Sequence, residues 1–219
     1  MESHRSKDHL YQLFASLASA LANPHRLELL DLLVQAPRTV EELAIVAHIA
    51  IANTSQHLQR LKQVHLVEDE REGLYIRYHI ADPAVARLWL EMRRVASLQL
   101  AEVDRALSAY RPHRHNFHRI SVGELKERMS SNGILLLDVR PEPEYRAGHL
   151  PSAVSIPLDE LEQRLDELTP DKLIVAYCRG PYCVFADQAL ELLSGRGWDV
   201  ARLEEGVVEW QLAGNPIEV

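Results

Sequence analysis

Apolar residues recur at helical spacing through the first part of the chain. Leu10, Phe14 and Leu21 fall on one face of a predicted first helix. Asn23 followed by Pro24 is typical of an N-cap with proline at the first helical position, so a second helix is predicted to open there. The chain therefore begins with two consecutive helices.

Two shorter helices and a pair of strands are predicted next. Thr39 and Glu42 form the T-x-x-E pattern of a capping box before VEELAIVA. After a break, IANTSQHLQRLKQ (residues 51–63) predicts another short helix, and LVEDEREGLYIRYHI predicts a β-hairpin turning near Glu72-Gly73. A single long amphipathic helix is predicted from there to Tyr110.

The helix over residues 51–63 has one apolar and one polar face. Ala52, Leu58 and Leu61 are predicted to point inward, whereas the other face and the hairpin offer side chains suited to base edges and phosphates. The candidate DNA-binding residues are Asn53, Ser55, Gln56, His57 and Arg60 on the helix, and Arg71, Tyr75 and Arg77 on the hairpin. A helix-turn-helix with a wing fits this pattern; a solvated helix and hairpin is the alternative.

The pattern of apolar and polar residues changes after PHRHNFH (residues 112–118), which ends the long predicted helix. Buried strands GILLLDV, KLIVAY and DVARL now alternate with the helical patterns ELEQRLDEL and FADQALELL, which predicts a parallel α/β sheet. The predicted fold is therefore mixed: an N-terminal α+β winged helix-turn-helix domain and a C-terminal α/β domain. The predicted boundaries are 1–111 for the first domain, 112–118 for a linker and 119–219 for the second domain.

The net charge of −8 is carried by the second domain. Residues 1–118 contain 14 Lys and Arg against 14 Asp and Glu, whereas residues 119–219 contain 10 against 18. The acidic excess does not argue against nucleic-acid binding by the first domain. Because we find no signal region and no apolar run of roughly 20 residues, we expect a cytoplasmic protein without membrane contact.

The two cysteines lie together in YCRGPYCV. Cys178 follows the end of a predicted strand, and a helix is predicted to begin near Cys183. A loop that leads into a helix N-terminus directs backbone N–H groups at a thiolate and lowers its pKa, and Arg179 would add to this effect. Cys178 is therefore the predicted nucleophile. The rest of the loop comprises Gly180, Pro181 and Tyr182.

The first domain resembles the ArsR/SmtB family of winged-helix repressors over roughly residues 8–110. The resemblance is carried by LASALANPHRLELLDLL, ANTSQHLQRLKQVHLV and EREGLYIRYHI. It implies a homodimer, with the first and last helices at the interface, bound to a palindromic double-stranded operator. The apolar stripes of those helices are consistent with such an interface.

The ligands that metal-sensing members of this family use are missing. VEELAIVA has no cysteine, and the final helix offers Glu91, Glu102 and Asp104 without histidine. The linker histidines at positions 113, 115 and 118 could bind zinc, but they lack a partner carboxylate, and a solvated linker is the preferred interpretation. We therefore predict no metal and no cofactor.

The second domain resembles rhodanese (sulfurtransferase) domains over about residues 118–219. The resemblance is carried by ILLLDVRPEPEYRAGHLPSAVSIPLDEL, by CRGPYC in the place of the active loop, and by GWDVARLEEGVVEWQLAGNPIEV. It implies a Cys178 persulfide, made from thiosulfate or a low-molecular-weight persulfide and passed to a thiol. By its motif, His149 is predicted to fix a loop by hydrogen bonding; a catalytic acid is the alternative. Asp138 and Arg140 are predicted to form a structural ion pair or loop brace, and Trp210 to pack in the core.

Two departures narrow the chemistry of the loop. Cysteine phosphatases and arsenate reductases need an arginine six residues after the nucleophile, and Val184 stands there. Many rhodaneses end the loop with Arg or Thr, which holds an oxyanionic donor, but here it ends with Cys183. As a resolving thiol, Cys183 would convert the persulfide into an intraloop disulfide or a trisulfide; alternatively, it is a small buried filler.

These observations predict a dimeric transcriptional regulator whose rhodanese domain senses or transfers sulfane sulfur. Its partners would be operator DNA and a small sulfur donor or thiol acceptor. One alternative is an active sulfurtransferase with a constitutive DNA-binding domain. Another is a repressor that responds to a metal or to arsenite, which the missing ligands disfavour.

Overall fold

The computed structural model describes residues 2–130, 133–169 and 171–219. The chain divides by its contacts into two compact units, Met1–Trp89 and Leu90–Val219. The sequence predicted a division after residue 111. The division by contacts lies earlier because residues 90–111 pack with the second unit, through side chains described below.

The first unit is built from helices followed by a small antiparallel sheet. Its elements are α1 (Glu2–Leu21), α2 (Pro24–Gln35), β1 (Arg38–Thr39), α3 (Val40–Val46), α4 (Ile51–Gln63), β2 (Val67–Glu72), β3 (Tyr75–Ile80) and the start of α5 (Pro83–Gln99). Strand β3 lies between β1 and β2 and is antiparallel to both. Leu29, Leu43 and Leu58 are fully buried at its core.

Local capping explains where the helices begin. The Asn23 side chain accepts a hydrogen bond from the Arg26 N–H at 3.1 Å at the start of α2. The capping box before α3 is confirmed, because Thr39 and Glu42 each accept a hydrogen bond from the other's N–H. These bonds satisfy N–H groups that have no partner inside their helix.

Two details of the predicted helices were wrong. In α4, Ala52 is exposed and Thr54 is fully buried, because the Thr54 hydroxyl hydrogen-bonds to the Ala50 carbonyl and hides its polar atom. The predicted long helix is two helices, α5 and α6 (Ala101–Tyr110), since the backbone of Leu100 is extended (φ −112°, ψ 99°).

The second unit is a parallel sheet covered by helices. Its further elements are β4 (His118–Ile120), α7 (Val122–Ser130), β5 (Ile134–Asp138), α8 (Glu142–Ala147), β6 (Val154–Ser155), β7 (Leu173–Tyr177), α9 (Phe185–Gly195), β8 (Val200–Leu203) and α10 (Val207–Leu212). The strand order is β4-β8-β7-β5-β6, and every pair is parallel. All five strands therefore end at the same edge of the sheet.

The structure differs from the sequence predictions at two places in this unit. His118, predicted to lie in the linker, begins the short strand β4. The predicted helix ELEQRLDEL forms two 3-10 turns, Leu161–Gln163 and Leu165–Glu167, because Arg164 between them leaves the helical backbone region (φ −118°, ψ 25°).

Buried polar groups brace the sheet edge as predicted. Asp138 and Arg140 form a fully buried ion pair at 2.7 Å. His149 stacks on Tyr145, and its Nδ1 lies 3.0 Å from that residue's carbonyl oxygen. Trp210 is buried in the core. Among the described residues, no helix is long and apolar enough to cross a membrane.

Candidate functional site: the cysteine loop and the polar helix

The cysteine loop joins β7 to α9 at the carboxyl edge of the parallel sheet. Strand β7 ends at Tyr177, and α9 begins at Phe185, two residues later than the sequence predicted. The loop is tightened by a hydrogen bond from the Cys183 N–H to the Gly180 carbonyl at 3.2 Å. Both thiols are consequently held inside one turn.

Cys178 is enclosed by polar groups although it is buried. Only 1% of its surface is exposed, and Cys183 is 8% exposed. The Arg202 guanidinium approaches the Cys178 sulfur to 3.8 Å and donates to the Cys183 carbonyl at 3.0 Å. The Cys178 sulfur therefore lies beside a fixed positive charge.

The environment separates the pKa values of the two thiols. Burial raises the pKa of Cys178, but the hydrogen bond from the Cys183 thiol, the charge of Arg202 and the N–H groups of Ala186 and Gly180 outweigh it and lower that pKa to about 6. The pKa of Cys183 is raised well above its ordinary value by its hydrogen bond to Cys178 and by burial. Cys178 is thus the more acidic thiol of the pair, and its sulfur also lies 3.6 Å from the Cys183 carbonyl oxygen.

Arg202 is one of the residues of the site that sequence reasoning missed. It lies on β8, fully buried, and donates to the Asp187 carboxylate at 2.6 Å and to the Gly180 carbonyl at 3.3 Å. The only local signal was a charged residue within the apolar strand pattern DVARL. An arginine that is fully buried needs anionic or polar partners. Asp187 supplies a carboxylate, and the cysteine loop adds the carbonyls of Gly180 and Cys183.

Arg179 occupies a different position from the one its sequence neighbourhood suggested. Its guanidinium forms a 2.6 Å ion pair with the fully buried Glu144 and lies over the Phe185 ring, 5.1 Å from the centroid. The positive charge that lowers the pKa of Cys178 comes from Arg202. Arg179 joins the loop to α8.

Two glycines allow the loop to pack closely against α10. Gly180 has φ +110°, and an added Cβ would lie 2.9 Å from a Glu209 carboxylate oxygen. A Cβ on Gly206 would lie 2.7 to 2.9 Å from backbone atoms of residues 178–180. No larger side chain fits at Gly206 unless the cysteine loop moves.

Tyr182 contacts α5. Its hydroxyl is 2.5 Å from the Ser97 hydroxyl, and the Arg93 guanidinium lies 4.5 Å from the centroid of its ring. Arg93 also pairs with Glu209 at 3.4 Å. The residue next to Cys183 is therefore attached to the helix that follows the wing. Pro181, the remaining loop residue, is held through its carbonyl by Arg111.

The predicted DNA-contacting face of α4 is largely accessible. Asn53, Gln56 and Arg60 are exposed, and Ser55 and His57 are half-buried. The His57 ring is 5.7 Å from the His25 ring, and the pKa of His57 is lowered by burial and by the charges of Arg26 and His25.

The wing residues lie along the hairpin formed by β2 and β3. Arg71 and Tyr75 are exposed, and Arg71 donates to the Gly73 carbonyl in the turn. Arg77 is half-buried, pairs with Glu72 at 2.6 Å and donates to the Pro37 carbonyl. DNA contact by Arg77 therefore has to compete with these bonds.

The described part of the chain contains no group of three or more His, Cys, Asp or Glu side chains arranged to hold a metal ion. In the linker, His113 lies 3.6 Å from Glu191, and Asn116 lies 3.2 Å from the same imidazole. From the sequence, no partner carboxylate was assigned to the linker histidines, and the structure places Glu191 beside His113.

Comparisons with known proteins agree with both halves of this description. A helix-turn-helix domain model matches residues 21–70, and a rhodanese-like domain model matches residues 121–213. The HTH-type transcriptional regulator Rv0324 of Mycobacterium tuberculosis is 44% identical over 204 residues, which cover 93% of this chain and 89% of the relative.

Other matches cover one half of the chain. A sulfurtransferase of Allochromatium vinosum is 29% identical over 46% of this chain and 94% of its own length. The homodimeric winged helix-turn-helix DNA-binding domain of a possible ArsR-family regulator from Mycobacterium bovis is 41% identical, covering 44% of this chain and 89% of that one, with a TM-score of 0.42. Since one relative spans both halves, the chain belongs to the family of HTH-type transcriptional regulators that join an ArsR-like winged helix-turn-helix domain to a rhodanese-like domain.

Proposed function

We propose that this regulator senses sulfane sulfur through Cys178, with Cys183 as the resolving thiol, and binds operator DNA in the cytoplasm as a homodimer. One observation carries the proposal: the two thiols are buried in one loop, with the Arg202 guanidinium 3.8 Å from the Cys178 sulfur. These surroundings lower the pKa of Cys178 to about 6 and raise that of Cys183. Such a pair contains a nucleophile that is ionised at neutral pH and a protonated thiol beside it.

The sulfur chemistry proceeds in two displacement steps. The Cys178 thiolate attacks the outer sulfur of a hydropersulfide RSSH, the S–S bond of the donor breaks, and RS⁻ leaves with the bonding pair. Cys183, once deprotonated, attacks the inner sulfur of the Cys178 persulfide and expels HS⁻, which leaves an intraloop disulfide. The donor is the oxidant in this sequence, and its sulfane sulfur is reduced to sulfide.

Tyr182 supports a route from this chemistry to α5. A disulfide between residues 178 and 183 changes the loop on which Tyr182 lies, and Tyr182 contacts Ser97 and Arg93 on α5. Helix α5 begins at Pro83, directly after the wing. A difference between the two loop states at this contact would supply the differential interaction that regulation requires.

Dimerisation is supported by apolar side chains that α1 leaves in solvent. Leu10, Tyr11, Leu13 and Phe14 are each more than half exposed. An apolar stripe of this size on a helix is typical of an interface. Replacement of Leu13 and Phe14 by Asp is expected to produce a monomer in analytical ultracentrifugation, and an unchanged sedimentation coefficient would contradict the assignment.

The sensing proposal is tested by mass spectrometry and gel shifts on the same samples. Trypsin cleaves after Arg179 and so separates peptide 173–179, which contains Cys178, from peptide 180–196, which contains Cys183. After treatment with polysulfide, we expect the two peptides to be joined by a disulfide, together with altered operator affinity. A trisulfide, one sulfur atom heavier, forms where a second polysulfide first extends the Cys178 persulfide by one sulfur and Cys183 then displaces the terminal sulfur as HS⁻. The operator is first selected from random duplexes with the purified protein.

The cysteine variants provide the controls. Cys178→Ser is expected to abolish both the cross-link and the change in affinity, and Cys183→Ser is expected to stop at the Cys178 persulfide. If polysulfide leaves operator affinity unchanged in the wild-type protein, the sensing proposal is wrong.

A second candidate function is sulfur transfer with turnover, which the sulfurtransferase relative favours. It predicts rapid transfer from thiosulfate or a persulfide to cyanide or a thiol. That activity would persist in Cys183→Ser and disappear in Cys178→Ser. Sensing and turnover are therefore separated by the same two variants.

A further inference from the structure

Arg111 is buried at the end of a helix that is otherwise in solvent. It is the C-cap residue of α6, in which no residue is buried, yet only 2% of its own surface is exposed. A guanidinium withdrawn from water has to be compensated by charged and polar partners. The positions of those partners show what the burial of Arg111 achieves.

The partners of Arg111 all belong to the surroundings of the cysteine loop. Its Nε and Nη2 donate to the Asp187 carboxylate at 2.6 and 3.0 Å. Its Nη1 donates to the carbonyl of Pro181 within the loop and lies 3.3 Å from a Glu204 carboxylate oxygen. Arg111 thus holds the loop itself and the carboxylate beneath it.

Asp187 connects Arg111 with Arg202. Its Oδ1 accepts hydrogen bonds from both guanidiniums, at 3.0 Å from Arg111 and 2.6 Å from Arg202. Nη1 of Arg202 makes the bond to Asp187, and Nη2 of the same guanidinium contacts the Cys178 sulfur and the carbonyls of Gly180 and Cys183. A continuous chain of contacts therefore runs from Arg111 through Asp187 and Arg202 to the reactive sulfur.

We infer that Arg111 is a positioning residue for Cys178: it fixes the Asp187 carboxylate and the Pro181 carbonyl so that Arg202 stays against the sulfur. The inference rests on the proposed function, because it concerns the reactivity of Cys178. When Arg111 is removed, Asp187 keeps Arg202 as its guanidinium partner and draws that guanidinium towards itself, away from the sulfur. The thiolate is destabilised as a result.

The assignment also gives the end of α6 a role. Arg111 ends α6, the helix that precedes the rhodanese-like domain. A shift of α6 would therefore alter the reactivity of Cys178 without any direct contact between α6 and the sulfur. In reverse, a change in the loop at Pro181 would be felt at Arg111. Coupling of this kind is reciprocal when it acts on equilibria.

The experiment measures the alkylation of Cys178 by iodoacetamide against pH in the full-length protein, with mass spectrometry of peptide 173–179 as the readout. In Arg111→Met, we expect the midpoint of the profile to move upward and the rate at pH 6 to fall about tenfold, because the Arg202 charge no longer stays against the sulfur. Arg111→Lys, which keeps the charge, is expected to recover part of the rate. Arg105→Met is the matched control, because Arg105 lies on the same helix and is exposed.

The outcomes separate this inference from the proposed function. If Arg111→Met lowers thermal stability but leaves the alkylation midpoint where it is in the wild-type protein, Arg111 is merely structural and the inference is overturned. If Arg111→Met does not fold, the Lys variant decides: a midpoint equal to that of Arg105→Met contradicts the inference. If wild-type Cys178 is not alkylated faster than Cys183 at pH 7, the proposed function fails, and the role of Arg111 fails with it.

Discussion

The Arg202 guanidinium lies 3.8 Å from the Cys178 sulfur, although the two residues are 24 positions apart in the chain. They are brought together because β7 and β8 are neighbouring parallel strands: Cys178 follows the last residue of β7, and Arg202 lies near the end of β8. Arg202 also donates to two carbonyls of the loop. One side chain thus shapes the loop and supplies its positive charge.

Removal of the Arg202 charge is expected to raise the pKa of Cys178 from about 6. The thiolate is the reactive form, so alkylation should increase as pH rises through about 6 in the wild-type protein and through a higher value in Arg202→Met. We expect the rate at pH 6 to fall about tenfold or more. Arg202→Lys should retain part of the rate, and an unchanged midpoint in the Met variant would count against this role.

Because the Cys183 thiol donates a hydrogen bond to the Cys178 sulfur, we expect the pKa of Cys178 to differ between two variants of Cys183. Cys183→Ala removes the donor to the Cys178 sulfur and should raise the pKa of Cys178, whereas Cys183→Ser keeps a hydroxyl donor and should leave that pKa low. Neither variant can form the intraloop disulfide. Alkylation profiles that coincide in the two variants would show that the Cys183 hydrogen bond does not influence Cys178.

Gly206→Ala is expected to disturb the cysteine loop without altering any charge. The added Cβ would lie 2.7 Å from the Arg179 carbonyl carbon, so the loop and α10 must separate. Overpacking of this kind costs about 1–3 kcal/mol of unfolding free energy. Chemical denaturation measures the loss, and Gly195→Ala is the matched control. Among the described residues, no atom beyond its chain neighbours and its own helix backbone lies within 4 Å of the Cβ that it would add. Equal stability of the two variants would refute the proposed clash.

Asp138→Asn is expected to lower stability strongly. Asp138 and Arg140 are both fully buried, so the substitution leaves a guanidinium without its charged partner. Breaking a buried pair in this way costs about 3–5 kcal/mol. Glu102→Gln, which removes the partner of Arg105 in an exposed pair, should cost less than about 1 kcal/mol. Comparable losses in the two variants would contradict the expected effect of burial.

The polar face of α4 predicts loss of DNA binding without loss of assembly. Replacement of Gln56, His57 and Arg60 by Ala should abolish binding to the selected operator while the sedimentation coefficient stays unchanged. Arg60→Ala alone should make the slope of log affinity against log salt concentration less steep, by the amount expected for about one lost phosphate contact. Unchanged operator affinity in the triple variant would exclude α4 as the recognition helix.

Much of the architecture follows from local pattern. Capping signals at Asn23 and Thr39 mark helix starts that the structure confirms. The periodicity missed the break at Leu100, because the apolar stripe continues across it and only the backbone of one residue departs from helix. It also misplaced Ala52 and Thr54, since the threonine hydroxyl is satisfied by a backbone carbonyl that no pattern of residue types reveals.

The sequence by itself determined the two domain types, their order and the loop that contains both thiols, because strand, turn and helix signals are encoded by neighbouring residues. It also predicted Cys178 as the nucleophile. Only the tertiary structure decided which charges act on that sulfur: Arg202 faces it, and Arg179 pairs with Glu144. These contacts join residues 24 to 35 positions apart, and they exist only once the parallel strands are aligned and a buried charge has to find its partner.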